Sequence, residues 1–123
     1  MSITRRSLEN NGEYKHMKNL IAKVIKWHED RNLIEGSTDK DQVLKLQQEL
    51  GELSDSVCKQ KDVRDDLGDM MVIMLNIMKR NDVTMEECLE TAYNDIKDRK
   101  GKMIDGIFVK FEEKSFNTDE GDE

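Results

Sequence analysis

An all-α, four-helix bundle-like fold is predicted by three features of this 123-residue chain: it has no proline, 38% of its residues are charged, and apolar residues recur in steps of three and four. The length suits one domain with a modest core. Aromatics make up only 5% while Met occurs eight times, so the core is expected to be aliphatic and methionine-based.

The first helix is expected from Tyr14 to Asn32, with Met17, Leu20, Ile21, Val24, Trp27 and His28 at helical spacing. Residues 1–13 are read as a flexible N-terminus. Gly36, Ser37, Thr38 and Asp39 then form a break and offer candidate N-caps. The second helix, Asp41 to Lys59, carries an apolar seam of Val43, Leu46, Leu50, Leu53 and Val57 that should face a partner helix. One residue round the axis runs a polar stripe of Gln42, Lys45, Glu49, Glu52 and Ser56.

The third helix, Asp62 to Lys79, repeats this design. Val63, Leu67, Met70, Met74 and Ile77 form its seam, and Asp62, Asp66, Asp69 and Asn76 flank it. The short link at Lys59 to Lys61 predicts an antiparallel hairpin with the second helix. A fourth helix opens at Thr84 with Glu87 three residues on, a capping-box spacing, and runs to a basic end at Lys97, Arg99, Lys100 and Lys102. Gly101 is its expected stop. Met103 to Phe111 reads as a short extended arm or hairpin, completing a helical domain over 14–111. Residues 112–123 read as an acidic, disordered tail.

The formal net charge of −7 argues against binding nucleic-acid polymers, which demand a basic face. Cys58 and Cys88 lack metal or redox spacing and read as reduced thiols. With neither a leader nor a spanning segment, the expectation is a soluble protein of the cytoplasm, without a membrane partner.

Residues three apart on a helix are neighbours, so Glu49 with Glu52, and Asp66 with Asp69, can each present two carboxylates to one point. Four oxygen donors suit Mg²⁺ or Mn²⁺ rather than zinc, and a cation offsets the repulsion of gathered like charges. In a chain with 27 acidic residues, single pairs of this kind mostly mark solvated faces. Two pairs flanking consecutive apolar seams are less easily dismissed.

The stretches KLQQELGEL (Lys45 to Leu53) and RDDLGDMM (Arg64 to Met71) resemble the MazG-like all-α nucleoside triphosphate pyrophosphohydrolases, marked by EExxE on one helix and ExxD on the next. Glu49 and Glu52 match ExxE. Asp66 and Asp69 stand at ExxD with Asp66 shorter than the usual Glu, and Gln48 replaces the leading Glu. IKWHEDRNLI (Ile25 to Ile34) and YNDIKDRKGKMIDGIFVK (Tyr93 to Lys110) extend the resemblance to most of the chain, as in short phage-type members.

The resemblance implies Mg²⁺-dependent hydrolysis of a nucleoside triphosphate, expected to be a deoxyribonucleotide, to the monophosphate and pyrophosphate, with Mn²⁺ as a substitute ion. It implies Glu49, Glu52, Asp66 and Asp69 as metal ligands, and Glu49 as the group assisting the attacking water. Lys45, Asn94, Lys97 and Lys100 become candidates for phosphate or sugar, and Trp27 for stacking on the base. Apart from Asn94, each has a simpler role: Lys45 as a surface ion-pair partner, Lys97 and Lys100 as a basic helix end, and Trp27, like the neighbouring His28, as a packed core residue. A homodimer or homotetramer is expected, in the cytoplasm of a host if the chain is phage-encoded. Two competing readings are dUTPase-like specificity on the same scaffold and a non-catalytic acidic helical interaction module.

Overall fold

The computed structural model describes residues 5–111. It consists of α1 (Arg5–Asp30), α2 (Asp39–Cys58), α3 (Arg64–Arg80), α4 (Met85–Ile96), β1 (Gly101–Ile104) and β2 (Ile107–Lys110). The protein is mostly helical, as expected, and the C-terminal arm is a β-hairpin. The acidic tail expected over 112–123 lies outside the described residues. No described helix is long and apolar enough to cross a membrane.

α1 begins at Arg5 rather than Tyr14. Periodicity is silent over this extension because it has little apolar content, yet extending an existing helix adds a hydrogen bond for each residue fixed. α2 begins at Asp39 because Thr38 is its cap: Thr38 is extended (φ −129°, ψ 159°) and its Oγ1 accepts a hydrogen bond from the Asp41 amide at 3.1 Å. After Cys58 the chain reverses through Gln60, at φ 56°, and the Lys61 amide donates to the Ser56 carbonyl at 2.9 Å. α3 then opens with Asp65 and Asp66 in its first turn and closes with Lys79 and Arg80, both matching the helix dipole.

The chain divides into two compact units, one up to Met85 and one from Glu86. In the first, α3 packs against α2 on one flank and α1 on another. Ile73 and Leu75 are its buried apolar side chains among the described residues. The predicted α2 seam is only half used: Leu46 and Leu53 are partly buried, whereas Val43, Leu50 and Val57 are exposed. One neighbouring helix cannot cover a stripe of this width.

Polar groups tie α1 to α3. The fully buried Asn76 donates through Nδ2 to the Leu33 carbonyl (2.9 Å) and to His28 Nδ1 (3.2 Å), while His28 Nε2 lies 2.8 Å from the Val72 carbonyl. The Leu33 carbonyl can only accept, which fixes the orientation of the amide. His28 Nδ1 must therefore accept and its Nε2 must carry the hydrogen. Asn76 Oδ1 is left buried without a hydrogen-bond partner. Such an orphan costs about 1–3 kcal/mol, so the three bonds on either side of it must more than compensate.

In the second unit, Leu89, Tyr93 and Ile96 form an exposed apolar stripe on α4. The strands pair antiparallel, with Ile104 opposite Ile107 and Gly101 opposite Lys110. Asp105 (φ 50°) and Gly106 (φ 82°) supply the two consecutive positive φ values that a tight two-residue hairpin turn requires. Gly101 does not stop α4, which ends at Ile96, but opens β1. A Cβ there would meet the Val109 carbonyl and lie 2.6 Å from Phe108 Cζ, so glycine serves a close cross-strand approach.

Candidate functional site

The antiparallel register of α2 and α3 decides which acidic residues can meet. At the open end of the hairpin, Asp39 of α2 accepts hydrogen bonds from Arg80 Nε (2.9 Å) and Asn81 Nδ2 (3.0 Å) at the end of α3. Ten residues along α2 stands Glu49, and eleven residues back along α3 stands Asp69. The Glu49 carboxyl is held above its ordinary pKa by burial, then by the negative charges of Glu52 and Asp69, and by a hydrogen bond shared with Glu52 that favours the protonated form. Lys45 opposes these effects. One further step of three residues on each helix brings Glu52 level with Asp66.

Glu49 is 7% exposed, a burial unusual for a carboxylate with no cationic side chain bonded to it. Asp66 and Asp69 are half-buried and Glu52 is exposed, so the group forms an edge open to solvent with Glu49 at its inner side. Among the described residues, no three His, Cys, Asp or Glu side chains are drawn tightly enough together to grip an ion as they stand. The donor chemistry nonetheless fits a hard divalent cation, because all four groups are carboxylates and the innermost is destabilised by negative neighbours that a cation would neutralise. Asp66, in the first turn of α3, also has an ordinary use there as a helix-dipole partner.

Asp39 shows the opposite behaviour. Its carboxyl is held below the ordinary range, first by the Asn81 hydrogen bond and then by Arg80. This clamp is absent from the sequence reading, since nothing in helical spacing links residues 41 and 42 apart in the chain.

The remaining predicted residues divide between the two units. Lys45 Nζ donates to Gln48 Oε1 at 3.2 Å, so the neutral residue at the leading motif position is held by the same lysine that favours the ionised form of Glu49. Trp27 is partly exposed rather than buried in the core. Its ring meets His28 edge-on at 5.3 Å, and the Arg31 guanidinium lies over its face at 4.3 Å. His28 is packed and satisfied. Asn94, Lys97 and Lys100 are exposed residues of the second unit, with Asn94 on α4 and the two lysines between α4 and β1. A groove of about 520 Å³ is lined by Glu29, Asn32, Ile34, Glu35 and Lys79, none of them a predicted site residue.

Comparison with known proteins yields one named similarity. Over 69 residues the chain is 41% identical to an uncharacterized 18.2 kDa protein from the rep–hol intergenic region of Haemophilus phage HP1. The match covers 54% of this chain and 42% of the phage protein, so the chain spans less than half of that relative's length. No family model matches the chain, and no solved structure matches it.

Proposed function

We propose that the α2–α3 edge binds Mg²⁺, or Mn²⁺ in its place, and supports hydrolysis of a nucleoside triphosphate, preferably a deoxyribonucleotide, to the monophosphate and pyrophosphate. The observation that carries this reading is the burial of Glu49 beside Glu52 and Asp69, with its carboxyl pushed up by their charge. A buried acid so perturbed is a functional-site candidate on physical grounds. The resemblance of the two acidic motifs to MazG-like enzymes supplies the reaction class, and the phage relative agrees with a short phage-type chain in a host cytoplasm.

Glu49, Glu52, Asp66 and Asp69 would hold the ion. When bound, the ion contributes charge neutralisation at the phosphoryl oxygens and a lower pKa for bound water. Glu49 accepts the proton of the water that attacks the α-phosphorus. The bond from that phosphorus to the α,β-bridging oxygen breaks, and pyrophosphate leaves. Lys45 favours the ionised state that Glu49 needs as a base. Asn94, Lys97 and Lys100 are proposed phosphate or sugar contacts, and Trp27, with Arg31 already on its ring, is proposed for the base. Self-association, as a homodimer or homotetramer, belongs to the same proposal.

The test is a pyrophosphate-release screen over canonical and modified ribo- and deoxyribonucleoside triphosphates, including dUTP, with Mg²⁺, Mn²⁺ or EDTA. Release that needs the ion and disappears in Glu52→Gln and Asp69→Asn supports the reading. Release by dUTP alone narrows it to a dUTPase-like specificity. The non-catalytic interaction module has its own support in the apolar side chains exposed on α2 and α4, and a folded protein that releases nothing from any triphosphate favours it.

A further inference from the structure

Four non-glycine residues among the described residues have positive φ: Asn32 (56°), Gln60 (56°), Asp82 (55°) and Asp105 (50°). After three of them the next amide is tied back to a helix end. The Leu33 amide donates to the His28 carbonyl at 2.9 Å, the Lys61 amide to the Ser56 carbonyl at 2.9 Å, and the Val83 amide to the Met78 carbonyl at 3.0 Å. Asp105 differs. It is followed by Gly106 in the turn between β1 and β2, and among the described residues no backbone carbonyl accepts a hydrogen bond from the Gly106 amide. Both residues are exposed, and theirs is the one Asp–Gly step in the sequence.

We propose that Asp105–Gly106 is a site of spontaneous covalent modification, at which Asp105 is converted to isoaspartate through a cyclic imide. The Gly106 nitrogen bonds to Cγ of Asp105, and one carboxyl oxygen leaves as water with the amide proton and a second proton from the carboxyl group or solvent. Water then opens the ring. Cleavage of the bond from nitrogen to Cγ restores aspartate, whereas cleavage of the bond from nitrogen to the α-carbonyl carbon leaves the main chain running through Cβ and Cγ. The water lost is regained, so the product has the mass of the starting chain.

Three features favour the reaction here. The nitrogen is not engaged in a backbone hydrogen bond, and glycine has no side chain to obstruct the ring. The turn can also rearrange to bring nitrogen and carboxyl together, because apart from Gly101 every residue of β1 and β2 is exposed. A two-stranded hairpin with so little packing is marginal and opens locally at low cost. Asp82 provides the internal comparison. It has nearly the same φ, but its neighbour Val83 is β-branched and its amide is already bonded to Met78.

Isoaspartate lengthens the main chain within a turn of two residues, whose consecutive positive φ values set Ile104 opposite Ile107. The modified chain loses that register from the tip of the hairpin, while α1, α2 and α3 are untouched. The inference does not depend on the proposed hydrolysis.

The test is to age the full chain at neutral pH in water enriched in heavy oxygen and then digest it with trypsin. Cleavage after Lys102 and Lys110 isolates Asp105 as the sole aspartate of its peptide, and cleavage after Arg80 and Lys97 places Asp82 and Asp95 in another. The Asp105 peptide should gain the mass of one heavy oxygen and split into two chromatographic species, the new one a substrate for an isoaspartyl methyltransferase. The Asp82 peptide should do neither. Asp105→Glu, which would need a larger ring, should abolish both signals, and hydrogen exchange in β1 and β2 should quicken in the isoaspartyl fraction. An Asp105 peptide that stays single and unlabelled, or labelling that is equal in the Asp82 peptide, overturns the proposal. Unchanged exchange in the isoaspartyl fraction overturns its consequence for the hairpin.

Discussion

Asp39 and Glu49 lie on the same helix and face the same partner, α3, yet their surroundings push their carboxyls in opposite directions. Asp39 meets Arg80 and Asn81, which favour its charge, while Glu49 is buried among other acids, which penalise it. The first arrangement fastens the open end of the hairpin. The second weakens the fold where it stands and gains only if something positive arrives. Of two acidic residues on one helix, the one whose ionisation the fold resists is the better candidate for function.

The largest expected effect tests that contrast through activity. Glu52→Gln or Asp69→Asn should lower ion-dependent pyrophosphate release by at least about 100-fold, since altering even supporting residues of metal sites costs about 10–100-fold. Thermal unfolding in EDTA should show no loss of stability, because each change relieves Glu49 of a negative neighbour. Retained turnover would remove the acid edge from the chemistry.

The next effect concerns the clamp. The folded-state pKa of Asp39 lies below its ordinary value of 3.8, so the clamp contributes stability above that value and loses it as pH falls through the lower, folded one. Asp39→Asn should therefore lower the urea midpoint at neutral pH, and the difference from wild type should close only in strong acid. Glu49→Gln is the mirror case. The folded pKa of Glu49 lies above 4.5, so the wild type is penalised at neutral pH and relieved as pH falls through that raised value. In EDTA the variant should be the more stable protein at pH 7, with the gap closing near pH 4.5, before that of Asp39→Asn closes. A destabilised Glu49→Gln would break the comparison.

The smallest effect is that of Lys45→Met. Without the lysine, the Glu49 carboxyl should titrate still higher by NMR, and the rising limb of the pH–activity profile should move up with it, by less than one pH unit. An unmoved limb would separate Lys45 from the site.

Much of this arrangement could be read from spacing, because spacing is a local property. The α2 and α3 seams, the short reversal between them, and the two acidic pairs all follow from residues within a few turns of one another. The antiparallel register then brings Glu49 to Asp69 without further information. The clamp at Asp39 and the Asn76–His28–Leu33 network join residues more than forty apart, where no periodic pattern reports on a partner. The α2 seam shows another limit: alternate apolar steps look alike in sequence, yet Leu46 and Leu53 are partly covered while Val43, Leu50 and Val57 are not. Helix starts differed for local reasons, Thr38 being one of several candidate caps and residues 5–13 having no apolar signal to read.

The Asp39–Arg80 clamp has a consequence for synthesis. Every polar tie of the first unit described above, and all four acidic candidates, lie at or before Asn81. The α2–α3 contacts span one short loop, and contacts of low sequence separation form quickly. The acid edge can therefore assemble as soon as Asn81 clears the ribosome, before the β-hairpin has emerged from it.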